Sequence, residues 1–185
     1  IVEAARQVFT EYGLAGARTR QIADAAGVVE GVIYRHFTSK EELFEAAILE
    51  PLEDLVADMA RVTPTFAVVD PRARRVRSEE MHARFLHTMM EVTPLLNVAL
   101  FADGAAGKKF YRERIEPVVT RSTKAFEEAL KAWSHPPMDN RLLFLAVFGM
   151  HLAVSLDANL RDADIDVEAT SKELTAFIVR GVGRS

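Results

Sequence analysis

The chain has 185 residues, a net charge of −4 and a hydrophobic content of 49%. This content is ample for a packed core and excludes a globally disordered chain. There is no cysteine, which excludes a disulfide framework, a thiolate nucleophile and a Cys-ligated metal site, and fits a reducing, cytoplasmic compartment. The longest nearly apolar run, 142–156, is shorter than the roughly 20 residues that cross a bilayer, so we expect no membrane partner.

The charge is not concentrated in a basic segment. The first fifty residues carry five Lys or Arg side chains against eight Asp or Glu side chains. A generally basic nucleic-acid binder is therefore excluded, and any DNA binding must depend on where the few cations lie.

Helical periodicity runs through the whole chain and predicts an all-α fold. At the N-terminus it predicts a helix over 1–12 that ends before Gly13. A second helix is expected after Thr19 as N-cap, stopping at Gly27, and a third over about 29–37.

A capping-box sequence predicts the start of a long fourth helix. Ser39 and Glu42 have the spacing at which each side chain satisfies a free N–H at the other's position. Pro51 is expected to kink this helix, because it lacks an N–H and crowds the preceding turn. We place the boundary between an N-terminal domain, 1–45, and a C-terminal domain, 46–185, within it.

The C-terminal part is predicted to be helical as well, with a connection over 63–71. Helices are expected over about 72–91, 94–101, 108–133 (disturbed at Pro117), 139–160 and 166–182, the last capped by Asp166.

Two short helices joined around Gly27 are the skeleton of a helix-turn-helix, whose second helix enters the major groove of DNA. Gly31 near the start of that helix allows a close backbone approach. Val32 offers methyl groups to a thymine methyl, and Arg20 is long enough for a phosphate or a guanine edge. Lys40 lies in the first turn of a helix, where free N–H groups favour an anion.

This segment resembles the DNA-binding segment of the TetR (tetracycline repressor-like) family. The resemblance lies in Ile22-Ala23-x-x-Ala26-Gly27-Val28 and Gly31-x-Ile33-Tyr34-x-His36-Phe37-x-Ser39-Lys40-Glu41-x-Leu43. It covers roughly the first fifty residues. It implies a three-helix helix-turn-helix domain followed by a helical ligand-binding and dimerisation domain. The implied function is a ligand-responsive transcriptional regulator, a repressor by family expectation, that binds palindromic double-stranded operator DNA as a homodimer.

The resemblance also implies which side chains contact DNA. Tyr34, His36 and Lys40 are expected at phosphates, and the other polar positions can face bases. Two residues depart from the family pattern: Val29 replaces a capping serine and Val32 a hydroxyl residue, so one cap and one polar contact are lost. The predicted DNA-binding set is Arg20, Glu30, Gly31, Val32, Tyr34, Arg35, His36 and Lys40.

The helix over 141–160 is apolar nearly all round and must be covered on every side. The last helix adds an apolar stripe. By the resemblance, these two helices from two subunits form a four-helix interface; the alternative is a core within one chain. The predicted interface residues are Leu145, Phe148, Leu152, Leu156, Leu174, Phe177, Ile178 and Gly181.

Met81, Phe85 and Met89 follow i, i+4, i+8 spacing. Methionine and aromatic side chains line adaptable apolar cavities, with histidines as polar anchors, although each is also an ordinary core residue. The expected effector is an apolar or amphipathic small molecule. The candidate pocket residues are Phe66, Met81, His82, Phe85, Met89, Phe101, Phe110, Tyr111, Trp133, Phe144, Phe148 and His151.

Two clusters carry weak metal signals, and neither predicts a metal site. The cluster around His82 and His87 lacks a second carboxylate–histidine pair. Asp162 to Glu173 has calcium-loop spacing, but Val167 stands where the loop requires glycine.

No Gly-rich phosphate loop or nucleophile elbow is present in the sequence, so neither a cofactor nor an enzymatic activity is predicted. Two alternatives stay open from the residues alone. One is a helical enzyme, and the other is a helical small-molecule-binding or interaction module without DNA binding.

Overall fold

A computed structural model describes residues 1–131 and 137–182. Over these two ranges the secondary structure is helical and contains no strand, which confirms the all-α prediction. A 3-10 helix, Thr63–Val68, and a π-helix, Tyr111–Ile115, connect some of the α-helices. The α-helices are α1 Val2–Gly16, α2 Thr19–Ala25, α3 Glu30–His36, α4 Lys40–Val62, α5 Pro71–Phe101, α6 Gly104–Phe110, α7 Glu116–Leu130, α8 Asn140–Leu160 and α9 Val167–Val182.

The first four helices share a small apolar core. Phe9 of α1, Ile22 of α2 and Ile33 of α3 are almost fully buried. The ring of Phe9 meets the ring of Phe44 edge-on, with centroids 5.2 Å apart. This packing fixes α2 and α3 against α1 and the start of α4.

Two glycines with positive φ lie within the first three helices and their connections. Gly27, with φ of 67°, ends α2 as predicted. Gly13 has the same φ and kinks α1, but the helix resumes and continues to Gly16. The predicted end at Gly13 is therefore a kink.

Thr19 does not cap α2, which corrects the sequence prediction. Arg18 occupies the N-cap position, and its backbone N–H donates to Oε1 of Gln21 (2.9 Å). Thr19 is the first residue of the helix, and its hydroxyl is free to bind a side chain of α3.

The capping box at the start of α4 forms with one change of partner. The backbone N–H of Glu42 donates to Oγ of Ser39 (3.1 Å), as predicted. The Glu42 carboxylate accepts from the hydroxyl and the backbone N–H of Thr38, each at 2.6 Å. These two hydrogen bonds lower the pKa of Glu42.

Helix α4 continues through Pro51 as one element. It buries Leu43 and Ile48 before Pro51 and Leu55 and Met59 after it, and all four belong to one continuous apolar core. The predicted boundary between residues 45 and 46 falls inside this helix and stays a prediction.

The prediction of two helices over 72–91 and 94–101 is wrong, because α5 runs uninterrupted through Pro94. Proline inside a helix costs about 3 kcal/mol. Val92, Leu95 and Leu96 around it are each at most 1% exposed. Burying such side chains contributes about 1.5–3 kcal/mol each, which outweighs the cost.

The helix predicted over 108–133 begins earlier, at Gly104, and Asp103 caps it by accepting from Ala105 and Ala106 (2.9 Å each). The disturbance expected at Pro117 lies one turn before it, in the π-helical stretch. A proline ring crowds the carbonyl four residues earlier, so the strain is taken up there.

The last two helices follow the prediction. Asp139 caps α8 by accepting from Leu142 (3.0 Å), and Asp166 caps α9 by accepting from Ala169 (2.9 Å). Both helices pack on α5, which is the central helix of the C-terminal part.

Gly107 is the point at which α6 meets the end of α5. A Cβ at this position would clash with the backbone oxygen of Leu100, whereas one at Gly104 has no described atom within 4 Å. We expect Gly107→Ala to lower the free energy of unfolding by about 1–3 kcal/mol through overpacking. The matched variant Gly104→Ala should raise it by about 0.4–1 kcal/mol. Urea unfolding measures both, and equal midpoints for the two variants would contradict this packing.

Candidate functional site

Helix α3 presents one face to solvent. Ile33 is buried, and it fixes the rotation of the helix. Gly31, Tyr34, Arg35 and His36 are exposed as a result, with Tyr34 54% exposed. The second helix of the helix-turn-helix therefore offers a glycine, a phenol, a guanidinium and an imidazole to a partner outside the chain.

A polar network ties this face to α2. The Thr19 hydroxyl donates to the Glu30 carboxylate, and Oγ1 of Thr19 lies 3.2 Å from the Tyr34 hydroxyl oxygen. Because the Thr19 proton goes to the carboxylate, the Tyr34 hydroxyl is the donor in the second bond. Sequence reasoning missed this role of Thr19, since a threonine at a helix start gives the same signal as an N-cap.

Lys40 reaches back across the turn. Its Nζ donates to the carbonyl oxygen of Ala17 (3.0 Å), just before α2 begins. An ammonium group has three N–H donors, so two remain for an anion. Lys40 is also in the first turn of α4, where the helix dipole favours negative charge.

The remaining predicted DNA contacts differ in exposure. Arg20 is exposed on α2, whereas Glu30 and Val32 are half-buried. Val29 is the N-cap of α3 and is exposed without a side-chain hydrogen bond, as expected for a valine at a capping position.

A second site lies in the C-terminal part, where α4, α5, α7, α8 and α9 enclose a cavity of about 90 Å³. Five candidate pocket residues line it: Phe66, Met81, His82, Phe85 and Phe144. An adjacent cavity of about 20 Å³ shares Met59, Phe85 and Phe144 and includes the candidate Phe148.

Several other candidates lie elsewhere. Met89 is fully buried core, while Phe110 and Tyr111 are half-buried around the start of the π-helix. Phe101 is 75% exposed at the end of α5 and is not a lining residue. Because α5 continues through Pro94 as one helix, Phe101 lies about 24 Å along it from Phe85. Trp133 lies outside the described residues.

The buried His82 lines the cavity, and the buried His151 lies behind it. Nδ1 of His82 lies 3.2 Å from Nε2 of His151, and Nδ1 of His151 lies 2.7 Å from the carbonyl oxygen of Val147. The His151 ring is stacked between His82 and Phe85, at centroid distances of 5.1 and 4.4 Å. Burial, with a smaller effect of His151, lowers the pKa of His82 to about 3. Burial also lowers the pKa of His151, so both rings are neutral at pH 7.

A third feature is an apolar face on α8 and α9. Only 28% of the most apolar stretch of α8 is buried. By length and composition alone this helix passes as a membrane span, as core helices of other proteins also do. At its two ends Leu142 and Leu160 are exposed, and the sequence analysis did not single them out.

The predicted interface residues divide between this face and the core. Phe177 (68% exposed) and Gly181 are exposed, and Leu145, Leu152, Leu156 and Leu174 are half-buried. Phe148 packs inward on Phe85 and Phe144, at ring-centroid distances of 6.1 and 6.3 Å. Ile178 lines the cavity.

Among the residues that the structure describes, no group of three His, Asp or Glu side chains is arranged to hold a metal ion. This includes the two clusters that carry weak metal signals in the sequence.

Comparison with known proteins gives a consistent result. Residues 1–47 match the family model for bacterial regulatory proteins of the tetR family. The transcriptional repressor AcnR of Corynebacterium diphtheriae is 34% identical over 52% of this chain, a match that spans 48% of AcnR. The transcriptional regulator YhgD of Bacillus subtilis is 24% identical over 98% of this chain and 94% of its own length.

A solved structure has the same fold. FadR from Bacillus subtilis, a transcriptional regulator in complex with stearoyl-CoA, superposes with a TM-score of 0.68. It is 18% identical and covers 98% of this chain and 97% of its own.

A short α2, a glycine turn and an exposed α3, held on a long α4, define a DNA-binding protein of the helix-turn-helix class. Within that class, residues 1–47, which contain the helix-turn-helix, match the tetR family of bacterial regulatory proteins. The relatives that this chain matches are transcriptional regulators.

The histidine pair predicts a pH dependence of stability. The pKa of His82 in the folded protein, about 3, lies below that of an unfolded histidine, about 6.5. The unfolded state therefore binds more protons in this range, and the stabilisation present above pH 6.5 is lost as the pH falls toward 3. Urea unfolding between pH 7.5 and 5 should show this decrease.

Two variants test whether His82 causes this decrease in stability. His82→Leu should reduce the slope, whereas His87→Gln, at an exposed position of the same helix, should retain it. A wild-type free energy of unfolding that stays constant over this range would contradict a neutral buried pair.

Proposed function

We propose that this protein is a ligand-responsive repressor that acts in the cytoplasm and binds a palindromic DNA operator as a homodimer. The observation that carries the proposal is the exposed face of α3, anchored by buried Ile33 and presenting Gly31, Tyr34 and His36.

The DNA contacts of this proposal are the predicted set. Packing within the chain offers no reason for glycine at position 31, because a Cβ there has no described atom within 4 Å. A closely approaching DNA backbone supplies such a reason. Tyr34, His36 and Lys40 bind phosphates, and Arg20 and Arg35 reach toward base edges. Glu30 accepts a hydrogen bond from Thr19, and Thr19 accepts one from Tyr34. Glu30 therefore contributes to DNA binding by positioning Tyr34.

The uncovered faces of α8 and α9 support the proposed homodimer. An open groove of α8 and α9 is mostly apolar, with the polar side chains at Thr170, Glu173 and Arg180; its other lining residues are Val154, Leu174, Ala176, Phe177 and Gly181. Contiguous apolar patches of this kind mark interaction sites. A second copy of the chain covers the face and sets two α3 helices about 34–36 Å apart, as a palindromic site requires.

In this proposal, a change in the cavity is transmitted to the N-terminal helices by α4 and by α5. Met59 lines the cavity, and its helix carries Leu43 into the N-terminal core. Phe85 also lines the cavity, and one turn and a half further along α5 Glu91 pairs with Arg6 of α1 (3.0 Å). An effector that binds one arrangement of these helices better than the other shifts the population between them.

Lys40 tests the DNA interface. Lys40→Ala should weaken binding to all duplexes, because it removes a phosphate contact and no base contact. It should also make the slope of log K against log salt shallower by about 0.9 per lost contact. Fluorescence anisotropy, on a duplex selected from a random library, measures both quantities.

The matched control is Lys124→Ala, which removes an exposed lysine from α7. Wild-type protein that selects no duplex at low salt would rule out operator binding. It would favour the alternative, a ligand-binding or interaction module, for which uncapped α3 is the supporting observation. An unchanged salt slope in Lys40→Ala would remove Lys40 from the interface.

Phe177 tests the dimer. Phe177→Glu places a charge on the proposed interface and should shift the protein from dimer to monomer in sedimentation velocity. Phe101→Glu changes a phenylalanine of similar exposure at the end of α5 and should leave the dimer intact. Equal sedimentation of the two variants would place the interface elsewhere.

A further inference from the structure

The hydrogen bonds of the histidine pair determine which ring nitrogens carry protons. The carbonyl oxygen of Val147 can only accept, so Nδ1 of His151 is the donor in that bond. The neutral His151 ring then has a lone pair on Nε2, which accepts from Nδ1–H of His82. His82 is neutral as well, and this leaves its own Nε2 as an acceptor.

This acceptor is available to the cavity. His82 is a lining residue, and its Nε2 has no hydrogen-bond partner in the ranges 1–131 and 137–182. The His82 ring is hydrogen-bonded to His151 on the side opposite Nε2. His151 is in turn stacked on Phe85 and hydrogen-bonded to the backbone of its own helix. The orientation of the acceptor is therefore set before any ligand binds, which lowers the cost of binding.

The rest of the lining limits what can bind. The lining residues in the described part of the chain include no Lys, Arg, Asp or Glu. Besides His82, the polar side chains are Ser78 and Thr63, and the Thr63 hydroxyl donates to the carbonyl oxygen of Ala125 (3.4 Å). A buried anion would have no cation beside it, and burying an unpaired charge is costly.

We infer that the effector is a neutral apolar molecule with a hydroxyl or N–H group that donates a hydrogen bond to Nε2 of His82. This inference deepens the proposed ligand response and rests on it. The main cavity and its smaller neighbour are separated by Met59, Phe85 and Phe144, and movement of these side chains joins the two spaces. Methionine is the side chain best suited to such an adjustment.

Three probes of similar shape test the chemistry: 4-propylphenol, propylbenzene and 4-propylbenzoate. Isothermal titration calorimetry with the full chain at pH 7.5 should give 4-propylphenol a Kd about threefold to tenfold lower than that of propylbenzene, the range expected for one net hydrogen bond. The benzoate should bind most weakly of the three. Propylbenzene binding as tightly as the phenol, tightest binding of the benzoate, or no binding by any probe would overturn the inference.

Variants and a spectroscopic readout assign the effect to His82. His82→Leu should bind phenol and propylbenzene equally, and the matched lining variant Met81→Leu should keep the preference. Nitrogen-15 spectra of wild-type protein labelled at histidine should show Nε2 of His82 shifting with 4-propylphenol and much less with propylbenzene. This readout serves even if His82→Leu fails to fold, and equal shifts would overturn the inference.

DNA measurements separate this inference from the proposed function. Operator affinity without any probe tests DNA binding alone and does not depend on His82. Operator affinity at saturating 4-propylphenol tests the ligand response. If the phenol binds as described and the operator affinity is unchanged, the effector role is overturned while the operator proposal stands.

Discussion

The architecture depends on the burial of α4 along most of its length in one continuous apolar core. Leu43 and Ile48 are fully buried near its N-terminal end, and Leu55 and Met59 are buried further along, beside Phe85. Because α4 continues through Pro51 as one helix, a displacement at its far end cannot be absorbed by a flexible connection. Both sets of contacts therefore belong to the same core. This constraint makes an interior cavity and a surface helix parts of one mechanical unit.

The chain separates its charged and neutral chemistry in space. Its net charge is −4, yet the exposed side chains of α2 and α3 include Arg20 and Arg35, with Lys40 beside them. Affinity for a polyanion therefore depends on local placement and falls with added salt. The C-terminal cavity is the opposite environment, in which burial keeps even His82 neutral by lowering its pKa. Helix α4 therefore runs from a positively charged surface to an apolar cavity.

Local signals in the sequence predicted local structure well. The stop at Gly27, the cap at Ser39 and the cap at Asp166 each depend on residues within a few positions of one another. Pro94 misled the prediction, because the burial that offsets its cost comes from distant helices. The His82–His151 pair joins residues 69 positions apart, and no local pattern distinguishes such a pair from two separate core histidines. Thr19 was assigned a local role because its partners, on α3, are defined only by tertiary packing. The DNA-binding, pocket and interface residues themselves stay predictions until they are measured.

The most direct measurement of coupling through α4 is the distance between the two α3 helices of a dimer. Because the chain has no cysteine, Arg35→Cys provides a single nitroxide site per subunit for double electron–electron resonance. Met59→Trp enlarges the α4 side chain in the cavity and takes the place of a bound molecule. The account predicts that Met59→Trp shifts the distance distribution between labels and, in the chain that keeps Arg35, lowers operator affinity. The same distribution with and without Met59→Trp, in a folded dimer, would contradict it.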